Sequence, residues 1–150
     1  MNIRRAEEKD LEKIQYLNNE LFDLEISNFD EYLIKDWPLS KEGREYFENA
    51  IKNDFVVVAE NDGEVVGYLL GEESDIPYYN FKIAELCNMC VSQKYRCKGI
   101  GSLLFAEFEK FYKMKGVTHF TVTASFKNEN AKSFYRKMGF VEANSTFVKF

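Results

Sequence analysis

The fold is decided by the stretch Glu85-Leu-Cys-Asn-Met-Cys-Val-Ser-Gln-Lys-Tyr-Arg-Cys-Lys-Gly-Ile-Gly-Ser-Leu-Leu104, which predicts a strand, a short loop and a helix. The mostly apolar run that ends at Val91 has the length of a buried strand. Beyond the loop, apolar residues recur with the spacing of one helix face, namely Ile100, Leu103, Leu104, Phe108 and Phe111. The chain therefore places a loop directly in front of a helix N-terminus.

That loop, Arg96-Cys-Lys-Gly-Ile-Gly101, has the composition of an anion-binding site. Its glycines let backbone N–H groups turn towards a ligand without interference from a Cβ atom. A helix N-terminus adds unpaired N–H donors and a partial positive charge. The spacing is neither that of the P-loop nor that of the dinucleotide-binding fingerprint. We expect the ligand to be a phosphate.

Composition and charge exclude several classes of protein. The length predicts one domain, residues 1–150, with a core of its own. The net charge of −5 argues against a general nucleic-acid binder. No apolar run approaches the ~20 residues of a membrane span, and the N-terminal sequence lacks the apolar stretch of a signal peptide. Three cysteines without a disulfide-like spacing suit a reducing compartment, so we expect a cytoplasmic protein.

Periodicity predicts an α+β fold built around a mixed sheet. Strands are expected at 2–5, 55–60, 64–70, 81–91 and 119–125, with one or two more between 140 and 150. Helices are expected at 7–24, 41–52, 100–115 and 130–138, and residues 25–40 remain unassigned. The strand, helix and strand across 81–125 form a crossover, which makes those two strands parallel and adjacent. The turn Asn61-Asp-Gly63 predicts an antiparallel hairpin.

A second motif, Asn128-Glu-Asn-Ala-Lys-Ser-Phe-Tyr-Arg-Lys-Met-Gly-Phe140, follows one helix and one strand later. Together, Arg-x-x-Gly-x-Gly and Asn-x-x-Ala-x-x-x-Tyr-x-x-x-Gly-Phe resemble the two signatures of the GNAT superfamily of acetyl-CoA-dependent N-acetyltransferases. The resemblance covers nearly the whole chain. It implies the GNAT fold, a central mixed sheet with splayed parallel strands and about four helices. It also implies direct transfer of an acetyl group from acetyl-CoA to a primary amine of a small molecule or peptide.

The resemblance implies which residues bind acetyl-CoA. The pantetheine arm and the acetyl carbonyl would bond to backbone at the strand end, formed by Met89, Cys90 and Val91. The pyrophosphate would lie on the loop and the first helical turn, formed by Arg96, Cys97, Lys98, Gly99, Ile100, Gly101 and Ser102. Asn128 would touch the CoA arm near the thiol, and Tyr135 would lie beside the sulfur. Cys97 departs from the small residue, often glycine, of the family pattern, which puts the conformation of the loop in question.

Two residues are candidates for the chemistry. Tyr135 shares a helix face with Ala131, Phe134 and Met138, so periodicity alone indicates a core aromatic. The motif instead favours a phenol that donates a proton to the departing thiolate. Glu85 stands six residues before Val91, the offset of the catalytic glutamate in the histone-acetylating branch of the family. An ordinary charge at a strand end is the alternative for Glu85. The alternatives for the base are another carboxylate or a water chain that Asn88 helps to hold.

A metal site is not expected. Cys87 and Cys90 belong to one strand, where alternation would place their thiols on opposite faces. Cys97 and His119 supply no second pair for a tetrahedral site. His119 is interpreted as a turn residue rather than as a base.

The acceptor amine is expected to be cationic. Residues 1–54 carry 14 acidic and 8 basic side chains, and the resemblance assigns this half to the acceptor. An acidic field concentrates cations, although solvated helix faces explain the same charges. Two further alternatives stay open, a non-catalytic domain that binds or senses acyl-CoA and an acetyltransferase of protein lysines or N-termini. A homodimer also remains open.

Overall fold

A computed structural model describes all 150 residues of the chain. The strands are β1 (Asn2–Arg5), β2 (Phe55–Asn61), β3 (Glu64–Ser74), β4 (Ile83–Val91) and β5 (His119–Val122). The helices are α1 (Leu11–Asn28), α2 (Lys41–Asn53), α3 (Ile100–Met114) and α4 (Glu129–Lys137). The expected α+β class is confirmed. None of the helices combines the length and the apolar composition that a membrane span requires.

The sheet follows the order of the sequence, β1-β2-β3-β4-β5. Its first four strands are antiparallel to their neighbours. β4 and β5 are parallel, with Ile83 opposite His119 and Leu86 opposite Val122. The mixed sheet and the crossover through α3 are therefore confirmed.

The sheet separates two hydrophobic layers. α3 covers one face and buries Leu104, Phe105 and Phe108 against β2, β3 and β4. α1 and α2 cover the other face. Because both faces of the sheet are covered, the sequences of β2 and β3 are almost continuously apolar and do not alternate between apolar and polar residues. Gly71 is required by this packing, since a Cβ there would lie 2.3 Å from the Phe108 ring.

A bulge in β4 opens the sheet. The register between β3 and β4 shifts so that Leu70 faces Asn88 while Gly71 faces Leu86, which makes Cys87 the extra residue. A bulge bends its strand, and pairing with β5 ends at Leu86. Beyond that residue, β4 has no partner on the β5 side. This gap is the splay that the sequence motifs implied.

The bulge also corrects one prediction. Cys87 and Cys90 do not lie on opposite faces, because both side chains pack against the layer covered by α1 and α2. The extra residue changes the alternation by one position, so the two thiols share a face.

The segment after α4 contains no strand, so the prediction of one or two strands between residues 140 and 150 was wrong. Val141, Phe147 and Phe150 are 85%, 94% and 89% exposed. The polar run Asn144-Ser-Thr146 divides the apolar residues into pieces too short to pair alone. β5 also ends earlier than predicted, at Val122, because residues 123–125 leave the sheet and line a cavity.

The unassigned region between residues 25 and 40 continues α1 to Asn28 and then forms a loop with a 3-10 turn at Trp37–Leu39. Pro38 is buried in that turn and accepts, through its carbonyl oxygen, a hydrogen bond of 2.9 Å from the Gln15 side chain of α1. The loop is therefore held against α1.

Candidate active site

The open edge of β4 presents backbone hydrogen-bonding groups to the gap. The Ser92 N–H donates to the Val66 carbonyl at 2.8 Å. Because antiparallel partners alternate between bonded and non-bonded pairs, the backbone groups of Val91 and Met89 then point away from β3 and into the gap. Cys90 directs its thiol into the layer of α1 and α2. Met89 and Val91 thus present main-chain atoms to the gap, whereas the main chain of Cys90 faces Tyr68 of β3.

The N-terminus of α3 is uncapped. Gly99 occupies the N-cap position with φ 81°, no side chain caps the helix, and its first turn carries no acidic residue. The first N–H groups of a helix have no partner within it, so those of Ile100, Gly101 and Ser102 are available to an anion. No atom lies within 4 Å of a Cβ built on Gly99, so the space in front of these donors is open.

Cys97 adopts the backbone conformation of the glycine that it replaces. Its φ is 60°, in the left-handed region, which costs a non-glycine residue about 1–2 kcal/mol. The side chain of Cys97 is exposed.

Arg96 ties the loop to the end of β4. Its Nε donates to the Val91 carbonyl oxygen at 2.8 Å, and its guanidinium lies 4.0 Å from the Glu20 carboxylate of α1. The side chain therefore links the loop, β4 and α1. Lys98 has its ammonium 5.5 Å from the centre of the Tyr95 ring, which leaves the loop basic at its exposed surface.

α4 is positioned by its first motif residue. The Asn128 side chain accepts a hydrogen bond of 3.1 Å from the Ala131 N–H and so caps the helix. α4 then packs on α3, where a Cβ on Gly101 would lie 3.3 Å from the Phe134 ring. The second motif glycine thus serves close helix packing.

Tyr135 lies between these helices, with its ring against Phe134 and Phe140. Burial, and then the charge of Glu25, raise the pKa of its phenol to about 12. The phenol is therefore protonated at neutral pH. No hydrogen bond contributes to this pKa, so the hydroxyl is not committed to a protein acceptor.

A cavity of about 450 Å³ lies on the α1 side of the gap. α1, the loop after it, the Trp37 turn, α2, the bulge of β4 and residues 123–125 all contribute to its wall. Ser125 donates a hydrogen bond of 2.9 Å to the Glu25 carboxylate, which connects the segment after β5 to α1. The cavity thus lies where β4 and β5 separate.

A polar network that the sequence motifs did not reveal forms one side of the cavity. The Asn18 amide donates to the Tyr68 hydroxyl at 2.8 Å, and that hydroxyl donates to the Asn88 side-chain oxygen at 2.6 Å. The Asn88 amide in turn points at the Tyr46 hydroxyl, 3.4 Å away. The one sequence signal was Asn18, a polar residue on the apolar face of α1.

Glu85 lies beside the cavity but not in its wall. Its side chain clusters with Glu72 and Cys87, with potential ligand atoms within 4.8 Å of one another. Burial, and then the neighbouring carboxylates, raise the pKa of the Cys87 thiol to about 12. Burial likewise raises the pKa of Glu72, with Asp54 and Glu85 adding to the effect. Glu25 is a carboxylate that does line the cavity, and sequence reasoning missed it.

The four residues considered as metal ligands do not come together. Cys97 lies on the exposed loop, away from the buried Cys90. His119 begins β5 rather than a turn, and its ring stacks on Phe81 with 3.6 Å between the centroids. That stack leaves the imidazole at the end of β5 opposite the gap.

Residues 52–142 match the family model described as the acetyltransferase (GNAT) domain. The fold is similar to that of a tetramutant of the BH1408 protein from Bacillus halodurans, with a TM-score of 0.89, 21% identity and 99% of each chain covered. An aminoglycoside acetyltransferase from an uncultured soil metagenomic sample, solved with sisomicin, has a TM-score of 0.72 and 24% identity over 99% of this chain and 94% of that one.

Aminoglycoside N-acetyltransferase AAC(6')-Iy, solved with CoA, has a TM-score of 0.74 and 17% identity over 99% of this chain and 98% of that one. At such identities, structural similarity establishes the fold alone. No curated protein sequence matches the chain.

Proposed function

The chain belongs to the GNAT family of acetyltransferases, and we propose that it transfers the acetyl group of acetyl-CoA directly to a primary amine. One observation carries the proposal. The gap beyond Leu86 has an uncapped helix N-terminus and an unpaired strand edge beside it, and a cavity of small-molecule volume on its α1 side. Two substrates can therefore reach one point of the sheet.

The residues around the gap fit acetyl-CoA. The pyrophosphate would lie on the N–H groups of Ile100, Gly101 and Ser102, with the basic loop beside it. The pantetheine arm would run along the open edge of β4 and bond to Met89 and Val91. The thioester would then lie near Tyr135. AAC(6')-Iy, a protein of similar fold, was solved with CoA, which supports a CoA thioester as the ligand of this gap.

The proposed reaction forms a C–N bond and breaks the C–S bond. The amine, bound in the cavity, loses its ammonium proton and attacks the acetyl carbonyl. The sulfur leaves with the C–S electron pair and receives the proton of the Tyr135 phenol, which is protonated at neutral pH. The second proton that the nitrogen loses as the amide forms then restores the phenol. Glu85 does not line the cavity, so as the base it would act through a water, and Asn88, which lines the cavity, would hold that water.

The cavity also bears on the two alternatives. A volume of about 450 Å³ is that of a small-molecule site, which favours a small amine over a protein side chain. A domain that only senses acyl-CoA has no need for such a cavity on the opposite side of the gap.

The proposed function is tested by the release of CoA thiol from acetyl-CoA with a panel of monoamines, diamines, amino acids and lysine peptides. We expect release that requires both the amine and the protein, with the acetylated amine as the second product. Stabilisation by acetyl-CoA without any amine-dependent release would support the sensing domain instead. Turnover of peptides alone would support the protein acetyltransferase.

Cys97 provides a separate test of the phosphate loop. We expect iodoacetamide to label Cys97 before the other two cysteines, because it is exposed while burial raises the pKa of Cys87 to about 12 and that of Cys90 to about 11. Bound CoA should slow this labelling, whereas pantetheine, which lacks the pyrophosphate, should not. Peptide mass spectrometry measures both rates, and equal labelling of Cys97 with and without CoA would contradict the placement.

A further inference from the structure

The cavity beside the gap is negatively charged and has no cation of its own. Glu25 and Asp30 line it, and no lysine or arginine does. Neither carboxylate forms an ion pair anywhere in the protein. Glu25 accepts a hydrogen bond from the Ser125 hydroxyl and Asp30 one from the Tyr32 N–H. Two negative charges therefore face the cavity without compensation.

The location of Glu25 adds to this charge. It lies in the last turn of α1, which contains no basic residue. The carbonyl end of a helix carries a partial negative charge and favours cations there. A carboxylate at this point is thus unfavourable for the helix itself, and a bound cation would relieve the conflict.

Asn18 is a second and independent indication of a ligand with N–H donors. Its side chain is 3% exposed and borders the cavity. The amide donates to the Tyr68 hydroxyl, which itself donates to Asn88. These directions leave the Asn18 carbonyl oxygen as an acceptor that no protein donor satisfies. No protein donor bonds this oxygen, and an ammonium group in the cavity would supply one.

The remaining wall is aromatic. The Phe22 and Trp37 rings are stacked with 6.0 Å between their centroids, and Tyr46 meets Trp37 edge-on at 5.9 Å. Such rings cover an alkyl chain, and their faces attract ammonium groups. The aromatic wall therefore suits an apolar spacer between two ammonium groups.

We propose that the acceptor is a dication with an apolar spacer, a diamine or a polyamine. The Asn18 oxygen and the Glu25 carboxylate would attract its reacting ammonium, and Asp30 would attract its second ammonium. Glu25 is assigned to the inner position because its charge acts on Tyr135 beside the gap. Asp30 is assigned to the outer position because it belongs to the loop after α1. This assignment rests on the proposed N-acetyltransferase function and specifies its substrate.

The test compares 1,5-diaminopentane with pentylamine, which have the same chain length and differ by one charge. We expect the diamine to have the higher kcat/KM by about tenfold or more, the scale of one hydrogen-bonded charge pair, and the preference to fall with added salt. Asp30→Asn should remove the preference by raising the KM of the diamine more than that of pentylamine. Glu25→Gln should lower kcat/KM for both amines.

Glu31→Gln is the matched control, since it removes the same charge from the neighbouring exposed residue, which does not line the cavity. It should keep the preference for the diamine. Equal kcat/KM for the two amines, or an unchanged preference in Asp30→Asn, would overturn the assignment.

Calorimetry with CoA present separates the two proposals. A protein that binds the diamine more tightly than pentylamine but releases no thiol would support the cavity and overturn the proposed activity. A protein that neither turns over nor prefers the diamine would overturn both.

Discussion

Tyr135→Phe is expected to lower kcat about 10²-fold, the usual scale for loss of a proton donor, while the affinity for acetyl-CoA stays the same. The substitution removes one hydroxyl and leaves the ring contacts with Phe134 and Phe140 in place. Since burial and Glu25 hold the pKa of the phenol near 12, the group is a donor throughout the neutral range. In the wild-type protein, ionisation of Tyr135 should therefore cause no fall in kcat below about pH 11. Steady-state kinetics and calorimetry with acetyl-CoA measure the two effects.

Tyr112→Phe is the matched control. Burial also raises the pKa of Tyr112 above its usual value, but its hydroxyl donates to the Gly71 carbonyl, 3.2 Å away in the core. Loss of that bond should lower the free energy of unfolding by about 1 kcal/mol and leave kcat unchanged. Full activity in Tyr135→Phe would show that the tyrosine is a core aromatic, as its helical spacing alone indicates. A fall in kcat together with an equal fall in acetyl-CoA affinity would indicate a positioning role rather than proton donation.

The fold could be predicted wherever one pattern acts locally. The helical spacing in α3, the Asn-Asp-Gly turn and the crossover from β4 to β5 each depend on a short window, and each is confirmed. The bulge at Cys87 could not be predicted, because it depends on the register between β3 and β4. That register follows from packing such as Phe108 against Gly71. The prediction of strands between residues 140 and 150 was wrong for a related reason. No neighbouring strand pairs with the apolar residues of that segment.

The candidate site likewise has one part that local sequence predicts and one part that it does not. The anion-binding loop is contiguous in sequence, so its glycines and its helix N-terminus were visible before the structure. The cavity is assembled from six separate segments, and Glu25 and Asp30 fall in a region to which no element could be assigned. Asn18 was the available signal, because it shares a helix face with Ile14, Leu17 and Leu21. A polar residue on such a face is costly unless it is paired, so it marks a network or a site.

Gly99→Asp is expected to abolish the stabilisation of the protein by acetyl-CoA. At 100 times its Kd, a ligand that binds only the folded state stabilises it by about 2.7 kcal/mol. For a domain of this length, that corresponds to a rise in Tm of about 5–10 °C. Position 99 is the N-cap of α3, where aspartate readily accepts hydrogen bonds from the first N–H groups. The carboxylate would thus occupy the donors that the pyrophosphate needs and would repel its charge.

Gly99→Ala is the control, because it imposes the same strain at φ 81° without a carboxylate. It should lower the Tm of the free protein and keep most of the rise with acetyl-CoA. An undiminished rise in Gly99→Asp would place the pyrophosphate elsewhere.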